Sequence, residues 1–171
     1  MHLALRTSRT FKAALVAFLL LSTVACDQAS KSWARRSLNH GSIQAAGGHL
    51  QLILTENRGV FLSLGSHINA ELRAILFTGG VALALVWGVG WLFARDHTVA
   101  RAVSVSLIIG GGFGNLMDRV SRSGAVTDFI FVWYGPLRTG IFNLADAFIT
   151  TGVVSLLLAG AFQSARTPKP T

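Results

Sequence analysis

Four long apolar runs constrain this chain more than any other feature. The clearest, Ala74 to Ala94, holds 21 consecutive uncharged residues, which is about 30 Å of helix at ~1.5 Å per residue and enough to cross a bilayer. Three more runs lie at about 13–33, 102–117 and 141–162. The expected fold class is therefore an all-α polytopic membrane protein with four transmembrane helices. It is read as a single integral membrane domain, 1–171, whose outer segments at about 34–72 and 118–140 carry a small extramembrane β-containing unit. "HLQLILTEN" (49–57) alternates apolar and polar residues at its start, which suggests a short strand.

Composition agrees with that reading. Apolar residues make up 51% and charged residues 13% of the chain, against about 25% charged in soluble domains. The net charge of +8 comes from bases scattered among apolar runs. They form no basic face interleaved with aromatics, so nucleic acid is not the expected partner and membrane lipid is. With a single cysteine there is no internal disulfide, and the five histidines show no metal-ligand spacing, so neither metal nor cofactor is expected. Lys and Arg are densest in the segments around Arg6 to Lys12, Arg95 to Arg101 and Arg166 to Lys169. By the positive-inside rule both termini are assigned to the cytoplasm.

"LLLSTVACDQASK" (19–31) has two readings. Basic residues, an apolar run and small residues before Cys26 look like a cleaved, lipid-modified signal. A retained span must instead carry Asp27 and Lys31. These two are spaced i, i+4, so they can pair on one helix face, with Lys31 snorkelling toward the interface.

Only seven acids exist, so each can be weighed. Asp146 falls one to two turns into the fourth run, on a face with Asn143 and Thr150, where an ionisable group is costly and suggests function. Asp128 sits in "AVTDFIFVWYG" with no base within five positions. If the two meet, one keeps a proton while the other stays ionised, because close carboxylates push their pKa values apart. That is an acid/base pair for activating water. Asp118 precedes Arg119 and stands i, i+4 from Arg122, which favours a satisfied ion pair at a helix end. The rival reading is a small proton-coupled transporter or channel subunit, in which intramembrane acids relay protons.

The segments "DQASK" (27–31), "TENRGVF" (55–61), "GGGFGNLMDR" (110–119), "VTDFI" (126–130) and "FNLADAFI" (142–149), in this order around four spans, resemble bacterial lipoprotein signal peptidase, also called signal peptidase II. The resemblance covers nearly the whole chain. It implies an intramembrane aspartic endopeptidase of the bacterial inner membrane, working as a monomer with its site near the outer face. It would remove signal peptides from prolipoproteins whose cysteine carries a diacylglyceryl group. The family's catalytic pair falls on Asp128 and Asp146. The family pattern also implies that Asp27, Lys31, Asn57, Gly111, Asn115, Arg119 and Asn143 organise the site and position the substrate. The chain departs from the pattern at Val60, Phe61 and Leu62, where two alanines and a phenylalanine are usual. On this resemblance "DQASK" belongs to the first span, and "TVAC" only mimics a lipidation motif.

Overall fold

A computed structural model of the chain describes residues 8–58, 69, 71–72, 75–94 and 97–164. The departure at Val60, Phe61 and Leu62 lies outside the described residues. Among the described residues, four helices are long and apolar enough to cross a membrane: α1 (Arg9–Ser37), α2 (Ile75–Ala94), α3 (Val99–Ser121) and α4 (Leu144–Ser164). Ser8 caps α1 by accepting from the Phe11 amide at 3.1 Å, and Thr98 caps α3 by accepting from the Arg101 amide, each satisfying one of the free N–H groups of a first turn. Arg35 and Arg36 stand in the last turn of α1, where the helix dipole favours cations. The first turn of α2, Ile75–Gly79, is a wide π turn.

The central helix is α3, which packs on the other three. Its glycine run explains how. Successive helical residues point about 100° apart, so each glycine opens a different side. A Cβ on Gly110 would meet Thr23 of α1, one on Gly111 the carbonyl of Ala145 in α4, and one on Gly112 the side chain of Leu85 in α2. Three helices thus pack closely on one, the use of small residues typical of membrane bundles. Val16, Leu85, Leu92, Ala102 and Ile109 form the buried core between α1, α2 and α3. The opposite faces of α2 and α4 present large apolar side chains such as Leu83, Trp87 and Leu157 outward, as lipid contact requires.

A four-stranded antiparallel sheet, in the order β1 (Ile43–Ala45), β2 (Leu50–Asn57), β3 (Val126–Tyr134) and β4 (Leu137–Arg138), caps one end of the bundle. β2 contains the strand expected from its alternation. β3 lies in the outer segment at about 118–140 expected to share the β-containing unit, and its β-branched and aromatic composition is that of a strand. Gly135, at φ 56°, makes the tight link from β3 to β4. The sheet is seated on the end of α1 through Phe129, which packs with Ala34 and Leu38 and meets Trp33 edge to face at 6.5 Å.

Several boundaries differ from the sequence reading: the first helix runs Arg9–Ser37 rather than 13–33, and the third starts at Val99 rather than 102. The third helix continues through Asp118 and Arg119 to Ser121. The fourth begins at Leu144, because Phe142 is drawn out as an extended partner of Ile130, exchanging backbone bonds of 2.9 and 2.8 Å with it.

Candidate active site

The site forms where the sheet meets α1, α3 and the start of α4. Asn143 precedes α4 and caps it. Its Oδ1 accepts from the Asp146 amide at 3.0 Å, while the Asn143 amide donates to Asp146 Oδ2 at 3.2 Å. This is a reciprocal capping box. Asp146 therefore stands in the first turn of α4 rather than one to two turns into a span, at the positive end of the helix dipole. A second free N–H of that turn, on Ala145, donates to Asp27 Oδ1 of α1 at 3.0 Å.

Asp128 arrives from β3. In the β2–β3 ladder Thr55 pairs with Asp128 and Asn57 with Val126, beyond a register shift between Leu52 and Thr55. Asn57 thus lies on the diagonal from Asp128, within reach of its side chain, and its Nδ2 donates to Asp128 Oδ2 at 3.0 Å. The other oxygen, Oδ1, accepts from Asn143 Nδ2 at 2.7 Å. Both carboxylates are thereby bonded to one residue, Asn143. Burial pushes the Asp128 carboxyl up to about 6. The bond from Asn57 opposes that rise, the nearby Asp146 charge adds to it, and the Asn143 bond and Lys31 oppose it.

Asn115 of α3 joins this pair to a buried charge cluster. It donates to Asp146 Oδ1 at 2.8 Å and accepts from Asn143 Nδ2 at 3.0 Å and from Lys31 Nζ at 2.9 Å. Lys31 pairs with Asp27 at 2.9 Å, the i, i+4 contact expected from spacing. Lys31 does not snorkel, however, and is fully buried. The interior offers it Asp27, Asn115 and Asp118 together, which outweighs an interface position.

Asp118 also differs from its expected pairing. Its partners are Lys31 at 3.2 Å and Arg35 at 3.8 Å, not Arg119 or Arg122. The α-helix ends at Ser121 and Arg122 leaves helical geometry, so the i, i+4 contact is lost and Arg122 reaches Glu56 at 3.6 Å instead. Sequence reasoning placed Asp118 outside the site, yet it lies within this network. Its i, i+3 spacing from Asn115, which puts both on one helical face, was the available signal.

Every residue implied by the resemblance lies at this end of the bundle. Arg119 donates weakly to its own helix at Asn115 O, 3.4 Å, and lies within electrostatic reach of Asp146 and Asp128. Gly111 contributes no polar group. It lets α3 touch α4 below Asp146. Thr150, placed on the same face in the sequence, is exposed and takes no part. A separate cavity of about 270 Å³ opens between Arg9, Lys12, Leu92 and His97 at the other end of the bundle, and Arg9 and Asp27, 18 residues apart on α1, stand about 27 Å apart.

Two carboxylates with unequal surroundings, joined through one asparagine and fed by donors, can divide one proton between them and act on a water molecule. The lipoprotein signal peptidase of Methylorubrum extorquens (strain PA1) is 36% identical over 160 residues, 92% of this chain and 91% of that protein. That of Dichelobacter nodosus (strain VCS1703A) is 37% identical over 146 residues, 84% and 92% of the two chains. A solved bacterial membrane enzyme shares the fold with a TM-score of 0.78, covering 92% of this chain and 94% of its own at 22% identity. Residues 19–162 match the family model for signal peptidase (SPase) II; that range contains both carboxylates and all the groups that hold them, and the chain belongs to the signal peptidase II family of aspartic peptidases.

Proposed function

We propose that this multi-pass membrane protein removes the signal peptide from diacylglyceryl-modified prolipoproteins, with Asp128 and Asp146 as the catalytic pair. The observation that carries the reading is the shared bonding of both carboxylates to Asn143 at one end of four membrane helices. One carboxylate takes a proton from water as it attacks the scissile carbonyl, and the other, protonated, polarises the carbonyl oxygen. Asp27, Lys31, Asn57, Gly111, Asn115, Arg119 and Asn143 hold that geometry or meet the substrate backbone.

The signal peptide, itself an apolar helix, enters laterally from lipid and unwinds where the sheet meets the helices. Both termini lie in the cytoplasm, which the density of Lys and Arg at that end supports, so the site works near the outer face of the bacterial inner membrane. One chain carries every group the chemistry uses, which supports a monomer acting as a single membrane domain. Among the described residues the buried carboxylates Asp27, Asp118 and Asp128 gather at one end of the bundle, which gives a proton path across the bilayer no support.

The test is turnover of a diacylglyceryl-modified prolipoprotein by purified Asp128→Asn and Asp146→Asn, each of which keeps the side-chain shape. Each is expected to lose more than about 10³-fold in kcat while remaining folded, and the unmodified precursor is expected to be left uncut. Near-normal turnover by either variant would remove it from the catalytic pair.

A further inference from the structure

Lys31 Nζ can only donate hydrogen bonds. Its contacts are Asp27 at 2.9 Å, Asp118 at 3.2 Å and the Asn115 side chain at 2.9 Å. The Asn115 atom facing it must therefore be the oxygen, and the amide nitrogen must face away. Asn143 Nδ2 fills the second lone pair of the same oxygen at 3.0 Å. With its oxygen fully engaged, Asn115 has one orientation, and in that orientation Nδ2 meets Asp146 Oδ1 at 2.8 Å. The other Asp146 oxygen accepts a backbone N–H at the N-terminus of α4, where negative charge is favoured. Asp128 differs: it is 3% exposed, lies on a strand and is held by the neutral amides of Asn57 and Asn143. Asp146 is the more accessible of the two to water.

We propose that Lys31 is a positioning residue: by locking the Asn115 amide toward Asp146 it makes Asp146 the ionised base and leaves the shared proton on Asp128. This assignment rests on the catalytic-pair reading above and divides the labour within it. Asp146 takes a proton from water as the water oxygen bonds to the scissile carbon, and Asp128 gives its proton to the carbonyl oxygen. On collapse the C–N bond breaks, the proton on Asp146 passes to the leaving nitrogen, and a hydroxyl proton of the tetrahedral intermediate returns to Asp128. Each carboxyl ends in its starting state.

The pH profile of kcat on a diacylglyceryl-modified prolipoprotein separates the two roles, because its low-pH limb follows the base and its high-pH limb the acid. Asn115→Ala leaves the charge cluster in place and removes the donor to Asp146. The charge-balanced double variant Lys31→Met with Asp27→Asn removes one of the two donors that fix the Asn115 oxygen, leaving Asn143 Nδ2 alone to hold it. Both are expected to move the low-pH limb toward neutrality, with kcat down at least about tenfold and KM within about twofold. Asn57→Ala, acting on Asp128, is expected to raise the high-pH limb and leave the low one in place. Should the double variant not fold, Asn115→Ala decides. A wild-type profile with only reduced yield, or a shift of the high-pH limb by Asn115→Ala, overturns the assignment. The catalytic-pair reading fails separately, through turnover retained by Asp146→Asn.

Discussion

The backbone amide of Thr127 donates to Asp118 Oδ2 at 2.9 Å, tying α3 to β3 one residue before Asp128. The same carboxylate pairs with Lys31 and Arg35, so it fixes a strand and balances buried charge together. Asp118→Asn keeps an acceptor for Thr127 but leaves Lys31 short of one counter-charge. It is expected to cost roughly 3 kcal/mol, the lower end for breaking a buried pair. Asp118→Ala also orphans the Thr127 amide, adding about 1–3 kcal/mol, and its loss of turnover per folded molecule should exceed that of the asparagine variant because β3 is released. Thermal unfolding and specific activity in detergent check both. Two variants that melt like the parent would rule out the tether.

Asp128 makes stability depend on pH in an unusual direction. Its carboxyl is pushed up to about 6, so the folded state holds the proton more tightly than the unfolded chain. The stabilisation from protonated Asp128 is therefore fully present below about pH 4 and is lost as pH rises through about 6, amounting to at most about 3 kcal/mol. Asp128→Asn escapes that loss and keeps an oxygen to accept from Asn143 Nδ2, while the Asn57 amide must turn to accept from the new NH2 group. It should melt above the parent at pH 8, with the difference closing below pH 4. Equal melting temperatures at pH 8 would show that burial of this carboxylate costs nothing.

The helices and the two carboxylates that Asn143 joins were legible because lipid permits few charges: ~20 uncharged residues announce a span, and an acid without a local base stands out. What escaped the sequence depends on partners distant along it. Arg119 adjoins Asp118 in the chain but points about 100° away on the helix, whereas Lys31, 87 positions earlier, is brought to 3.2 Å by packing of α1 on α3. Likewise Ile141 and Phe142 are apolar enough for a span. Only the backbone bonds of Phe142 to Ile130 explain why α4 starts later and holds Asp146 at its first turn. β3 is rich in strand formers, yet its apolar, aromatic character reads equally well as a membrane-surface segment.

Gly111 is expected to act through distance rather than chemistry. A Cβ there would approach the Ala145 carbonyl oxygen to 2.6 Å and Ile149 Cγ1 to 2.8 Å, and a backbone carbonyl in a helix cannot swing away. Gly111→Ala should therefore push α4 from α3, at roughly 1–3 kcal/mol for overpacking against about 1 kcal/mol gained in helix propensity. The Asn115–Asp146 bond spans the same interface, so kcat should fall more than tenfold, a roughly estimated cost of a misplaced pair. Gly90→Ala, with nothing within 4 Å of the new carbon, is the control and should be neutral or slightly stabilising. Equal behaviour of the two variants would count against a packing role for Gly111.

The last prediction concerns Cys26. It lies within the unbroken helix Arg9–Ser37 and is exposed, while the next residue, Asp27, is fully buried, holding Lys31 and the Ala145 amide. Cleavage before Cys26 would separate Asp27 from the turns of α1 that anchor it through Val16 and Thr23, and the start of α4 would lose a cap. The span should therefore remain attached in the mature protein. Cys26→Ser changes a side chain that faces outward, so the cost should stay below about 0.5 kcal/mol, with turnover unchanged. Intact-mass measurement on protein purified from membranes decides the first point. A mature chain that begins at Cys26 and carries added lipid mass would show that the segment before it is a cleaved signal, and the site would then have to hold without the first half of α1.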